Sequence, residues 1–241
     1  MKTTCVSRKL IARLAALAAA ILALSTLLTA QNQELQQRLA EVKQSAAQNK
    51  QALAHYSWQE QQTIAIKGNV KDTKVFQVHL GPDGKPQKAE MENMPQSSGG
   101  RQHGLGHHVK EKKGEEYKEY GQQIGDLAHQ YTQPNPEKLQ QAFQQGNVMM
   151  GSAGTPGQVK LVITNYIKPN DKVTLVFNEQ AKAIQSLDIA TYLDDPKDAV
   201  NIAAQFSKLP DGTNHVETTQ VKGVSKDLLV TTRNSNYQKM M

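Results

Sequence analysis

Seven histidines, a single cysteine and a few clustered acids are the residues of this 241-residue chain that could carry chemistry. His103, His107 and His108 stand close together, with Glu111 four residues beyond His107. Were a helix to begin early, His103, His107 and Glu111 would share one face and offer two imidazoles and a carboxylate to a cation. The segment around His103 is rich in glycine and no HExxH spacing is present, so a solvated loop is the expected state and no metal ligand is assigned. His55, His79, His129 and His215 are isolated and read as surface or partly buried imidazoles. Hydrolase chemistry has no Gly-x-Ser-x-Gly elbow, and Gly151-Ser152-Ala153-Gly154 reads as a loop between strands. Asp194, Asp195 and Asp198 form an acidic turn without the alternating ligands and distal Glu of a calcium loop. An active site needs convergent groups, and none converge in this pattern. The expectation is a non-catalytic protein with no cofactor.

The charge must be located before it is interpreted. The chain has 28 Lys and Arg against 22 Asp and Glu, a formal net charge of +6. Lys2, Arg8, Lys9 and Arg13 precede or open an apolar run from Leu14 to Leu28, and Thr29-Ala30 leads into polar residues at Gln31. That is the layout of a secretory signal peptide cleaved after Ala30. The alternative is an uncleaved inner-membrane signal anchor, since Leu10 to Ala30 is about 20 residues and long enough to cross a bilayer. Residues 1–30 hold four basic residues and no acid, so the remainder is close to neutral, 24 against 22. The electrostatic case for a nucleic-acid partner is therefore weak. Cys5 belongs to the same segment, which leaves the exported part without disulfides, Cys-ligated zinc or a thiol nucleophile. Periplasmic or secreted localisation follows, with membrane contact only through the signal segment if it is retained.

The elements that would position any site follow from periodicity. Leu35, Leu39, Val42, Ala46 and Leu53 predict a helix over 33–54. Trp58, Ile64 and Ile66 share one parity, as do Phe76, Val78 and Leu80, and Gly81-Pro82-Asp83-Gly84 turns into a third strand through about Met91. A connector at 95–106 precedes a second helix over 108–131, carrying Val109, Tyr117, Tyr120, Ile124, Leu127, Ala128 and Tyr131. Gly114, Gly121 and Gly125 weaken it by about 1 kcal/mol each relative to Ala, so it needs tertiary packing. A short helix covers about 136–145. Seven short strands then follow at about 147–151, 159–166, 172–178, 184–193, 199–208, 215–222 and 226–233, with turn residues at each break. The fold class expected is α+β: a curved antiparallel β-sheet, an incomplete barrel-like meander, with N-terminal and central helices packed on one face. The divisions are 1–30, 31–94, 95–146 and 147–241, with 31–241 as one continuous domain.

Each strand has one apolar face, and these faces must meet the helices. Trp58, Ile64, Phe76, Val78, Val173, Leu175 and Phe177 would line either a filled core or an apolar cavity able to take a lipid or other apolar ligand. Parity does not separate the two. The order of export signal, N-terminal helix, strands opening at Tyr56-Ser57-Trp58 with Ile66-Lys67-Gly68, central helices, and a meander closing near Asn234-Ser235-Asn236-Tyr237 resembles the Lol-type outer-membrane lipoprotein carriers and their sorting-protein relatives. The resemblance is one of architecture over most of the exported chain, and it assigns no individual residue a role. It implies an incomplete barrel closed by helices over a hydrophobic cavity for lipoprotein acyl chains. A second reading is an interaction or structural module that meets an envelope protein partner through the wetted sheet face or a strand edge.

Overall fold

The computed structural model describes residues 33–91, 107–132 and 136–240, with backbone alone at 107–113, 132 and 136. The signal segment and the connector at 95–106 lie outside the described residues. A helix, α1, spans residues 33–53. The chain divides into two units at Gln44 and Ser45. Within the first, Arg38 and Glu41 face each other one turn apart at 3.6 Å.

The second unit is built on one sheet. Its strands are β1 (Tyr56–Ile66), β2 (Asn69–Leu80), β3 (Pro86–Glu90), β4 (Val148–Ser152), β5 (Gln158–Thr164), β6 (Lys172–Asn178), β7 (Ala183–Tyr192), β8 (Ala199–Lys208), β9 (Asn214–Gly223) and β10 (Leu228–Lys239). Two helices, α2 (His107–Thr132) and α3 (Pro136–Gln144), lie in sequence between β3 and β4. The spatial order is β3-β2-β1-β10-β9-β8-β7-β6-β5-β4, antiparallel throughout. The fold is α+β, an open ten-stranded antiparallel sheet with a few helices.

The strand boundaries depart most from the sequence reading in two places, each for a local reason. β2 begins at Asn69, well before its first apolar alternation at Phe76, because Lys67 and Gly68 take positive φ of 49° and 74°. That pair makes a two-residue turn whose twist suits a hairpin, so Ile66 pairs with Asn69 at once. β10 runs on to Lys239 because it pairs with the first strand, Tyr56 opposite Lys239, beyond the end of its ladder with β9.

The register aligns one apolar row across eight strands. Val148, Ile163, Val173, Ile189, Ile202, Val221, Val230 and Ile64 are successive cross-strand neighbours. β-Branched residues suit such a half-buried pleated surface. Helix α2 lays Tyr120, Ile124, Leu127, Ala128 and Tyr131 onto this face, and they form the main core with Val173, Ile189, Val200, Ile202, Val221 and Leu228. This burial is the tertiary packing that a helix with three internal glycines requires.

The sheet is curled. Ser45 donates to the carbonyl of Lys182 at the β6–β7 turn, and Lys50 of the same helix lies against Gly84 in the β2–β3 turn, where a Cβ would come within 2.6 Å of its Cε. Those two residues are separated by about 7.5 Å of helix rise. Strands β2 and β7 are five ladder steps apart, about 24 Å across a flat sheet. One short helical segment reaches both turns because the sheet bends around it.

Candidate functional site

The concave face has two ends, each closed by a helix. At one end, residues 45–53 of α1 bridge the turns: Asn49 exchanges side-chain hydrogen bonds with Asn214, its Nδ2 donating to the carbonyl at 2.5 Å and its Oδ1 accepting from the backbone N–H at 2.6 Å. At the other end, two tyrosines anchor α2. Tyr131 donates to Asp171 at 2.6 Å and lies 2.8 Å from the Thr191 hydroxyl. Asp171 is only 1% exposed and also accepts the backbone N–H groups of Tyr166, Ile167 and Lys168 at 2.6, 2.8 and 2.9 Å. The carboxylate thus ties the β5–β6 turn and the end of α2 together.

Tyr120 is the second anchor. It donates to Asp198 at 2.8 Å and accepts from Ser225 at 3.0 Å. Its ring lies over Gly223, where a Cβ would come within 2.5 Å of the hydroxyl oxygen and 2.8 Å of Cζ. A side chain at 223 and the ring of Tyr120 cannot share that space. Lys226 pairs with Glu116 and sits 5.8 and 5.3 Å from the Tyr117 and Tyr120 ring centres. The acidic turn read from Asp194, Asp195 and Asp198 therefore receives α2: Asp198 takes Tyr120, and Asp195 caps its own turn through Lys197 N–H at 2.8 Å.

Between the helices runs a belt that neither end buries fully. Its row is Met150, Leu161, Leu175, Leu187, Ala204, Thr219, Thr232 and Gln62 from β4 across to β1. Met150, Leu175, Leu187, Thr219, Thr232 and Gln62 are half-buried. The row is apolar from β4 to β8 and polar from β9 to β1. Past Gln62 the polar character intensifies. Glu60 is buried opposite Asn234 and pairs with Lys88 at 2.5 Å, while Lys88 stands 5.8 Å from the Phe76 ring centre. Trp58 stacks on Tyr237 at 5.5 Å, and Tyr237 meets the buried ring of His215 at 4.3 Å. Trp58 Nε1 and Asn234 Oδ1, a donor and an acceptor, are buried with no hydrogen-bond partner among the described residues. Burial first, and then the charge of Glu60, hold the Tyr237 hydroxyl above the usual tyrosine range.

The seven residues expected to line the apolar face share that face but divide among three settings. Trp58, Val78 and Phe177 are buried. Val173 is buried in the α2 core. Ile64, Phe76 and Leu175 are half-buried and keep surface to offer. Sequence reasoning missed Glu60 and Lys88, although a charge at the apolar parity between Trp58 and Ile64 was a visible signal for the first. It also missed Asp171, whose position in a Pro-Asn-Asp turn gives no hint of burial.

Two depressions on the described surface involve none of these seven. One, about 460 Å³, lies on the opposite sheet face among Lys172, Thr174, Asp188, Asn201, Gln220 and Lys222. The other, about 390 Å³, lies between α3 and the β5–β6 turn, among Lys138, Gln141, Asn147 and Lys168. His103 lies outside the described residues, and only the backbone of His107 and His108 is described. Among the described residues no group of three His, Cys, Asp or Glu is placed to hold a metal ion. Among them too, no helix is long and apolar enough to cross a membrane.

No protein-family model and no curated protein matches the chain. Among solved structures, a DUF1329 family protein from Desulfovibrio piger is similar at a TM-score of 0.41 and 13% identity, over 83% of this chain and 92% of that one. A LolA superfamily protein from Nitrosomonas europaea is similar at a TM-score of 0.34 and 10% identity, over 78% and 87%.

Proposed function

We propose that this chain is an exported, non-catalytic binding protein of the bacterial cell envelope that holds an amphiphilic lipid, such as a fatty acyl chain with its headgroup, against the belt between residues 45–53 and α2. The observation that carries the reading is the grading of that belt. Leu175 and Leu187 offer half-buried aliphatic surface, and the same row ends at Thr219, Thr232 and Gln62 beside the Glu60–Lys88 pair. An apolar tail laid along the first part gains burial worth roughly 25 cal/mol per Å². The polar end then meets the Thr219, Thr232 and Gln62 side chains and the Glu60–Lys88 pair, which can hydrogen-bond it. Among the seven residues first expected to line a cavity, Ile64, Phe76 and Leu175 would touch the ligand, while Trp58, Val78, Val173 and Phe177 would support the walls.

Titration with a fluorescent polyene fatty acid, with Trp58 as energy donor, tests the reading. Saturable binding is expected, weakened about tenfold or more by Leu175→Asp or Leu187→Asp with the circular dichroism unchanged. Native mass spectrometry of protein purified from the envelope supplies the second arm, with a lipid-sized mass increment expected. A ligand-free mass together with no saturable probe binding would sink the proposal.

A further inference from the structure

The two edges of the sheet are built differently. β3 opens with Pro86, which has no N–H, and carries Lys88 and Glu90, features that discourage pairing with another strand. β4 reads Val148-Met149-Met150-Gly151-Ser152, with neither charge nor proline, and Met149 is 56% exposed. The hydrogen-bond phase of β4 follows from its ends. Thr164 N–H donates to the Asn147 carbonyl at 2.9 Å, and Ala153 N–H donates to the Gln158 carbonyl at 3.2 Å. In a register running from Val148 opposite Ile163 to Ser152 opposite Val159, the odd-numbered residues of β4 therefore turn their backbone groups to β5. Those of Val148, Met150 and Ser152 point to the open edge.

We propose that this edge pairs with β4 of a second copy of the chain, antiparallel about a two-fold axis at Met150. In that register Met150 exchanges two hydrogen bonds with its own symmetry mate, and Val148 exchanges two with Ser152 of the second copy at each end. Met149 then falls opposite Gly151 in a non-hydrogen-bonded pair, where Cα atoms approach to about 4.5 Å. A Cβ on Gly151 would meet nothing within 4 Å, so the exposed thioether has room to lie there beside its own neighbour Val162. Self-complementarity selects a second copy over a foreign strand. The large and the side-chain-free residue exchange places only about the midpoint that also satisfies the hydrogen-bond phase.

Sedimentation velocity of the purified full chain should show a concentration-dependent species of twice the chain mass. Met150→Pro removes the N–H that the central pair needs, but that N–H faces the edge, so the ladder to β5 survives. It should yield monomer with unchanged circular dichroism. The register is tested separately by oxidation in a Cys5→Ser background. Chains carrying Met149→Cys mixed with chains carrying Gly151→Cys should form a disulfide-linked pair, because a Cα separation of about 4.5 Å lies within disulfide range. Neither sample alone should do so. A monomer at the highest soluble concentration, a dimer that survives Met150→Pro, or equal cross-linking in a single-cysteine sample overturns the proposal. A monomer whose β4 amides gain exchange protection only on adding an extended peptide also overturns it, and assigns the edge to a foreign strand.

Discussion

Removing the hydroxyl of Tyr131 should loosen the grip of α2 on the sheet by an amount the geometry sets. The bond it gives Asp171 is short, 2.6 Å, buried and directed at a carboxylate. Hydrogen bonds to charged groups contribute about 1.5–3 kcal/mol. Tyr131→Phe leaves Asp171 with the three N–H groups of Tyr166, Ile167 and Lys168, so no buried charge is orphaned, and the loss should be about 2 kcal/mol. Asp171→Ala is different in kind. It strands those three N–H groups and the phenol together, at about 1–3 kcal/mol for each group that water does not reach, so the loss should be about 4 kcal/mol. The assay is urea unfolding followed by the fluorescence of Trp58, the only tryptophan in the chain. For a unit of about 200 residues the first variant should lower the melting temperature by about 4–8 °C. If Tyr131→Phe fell within about 0.5 kcal/mol of the parent, the bond would not be anchoring the helix. If Asp171→Ala cost no more than Tyr131→Phe, the carboxylate would not be organising the β5–β6 turn.

Two further outcomes follow from the same contacts. Gly223→Ala should destabilise by about 1–3 kcal/mol, because the new methyl group and the Tyr120 ring compete for one space. Adding Tyr120→Leu should recover part of that loss in urea unfolding, and no recovery would mean the clash lies elsewhere. Stability should also fall above about pH 10. Burial, and then the Asp171 hydrogen bond, hold the Tyr131 hydroxyl neutral above the usual range, and burial followed by the Glu60 charge does so for Tyr237. A raised folded-state value means the contribution is complete below the unfolded value, 10.0, and is lost as pH rises beyond it. Urea midpoints measured across that range should drop steeply for the parent and less for Tyr131→Phe combined with Tyr237→Phe; parallel curves would contradict the assignment.

Local pattern carried the elements well and their partners poorly. Alternation placed Val173, Leu175 and Phe177 on one face of β6, and the ladder keeps them there. Helical spacing picked Tyr120, Ile124, Leu127, Ala128 and Tyr131 among one stripe, and α2 buries all five. The early start of β2 was less legible, because Asn69–Lys74 has no apolar alternation and is recruited by the tight turn before it and by the ladder to β1. Asp171 and Asp198 look like ordinary turn acids. They became anchors only because tyrosines distant in sequence arrive beside them. The candidate belt was half visible: its leucines follow from parity, while its polar end depends on which strands lie next to one another.

By itself, then, the sequence determined most of the strands and helices and which face of each is apolar, because these are properties of a few consecutive side chains. Only the tertiary structure decided that the first strand pairs with the last, joining an N-terminal hairpin to a C-terminal meander through Ile64 opposite Val230. No local period encodes a pairing across more than a hundred residues; it is chosen when buried apolar rows align and turns close the geometry. That one pairing makes the eight-strand row continuous and sets the half-buried leucines and the buried Glu60, with its partner Lys88, on one face of the sheet.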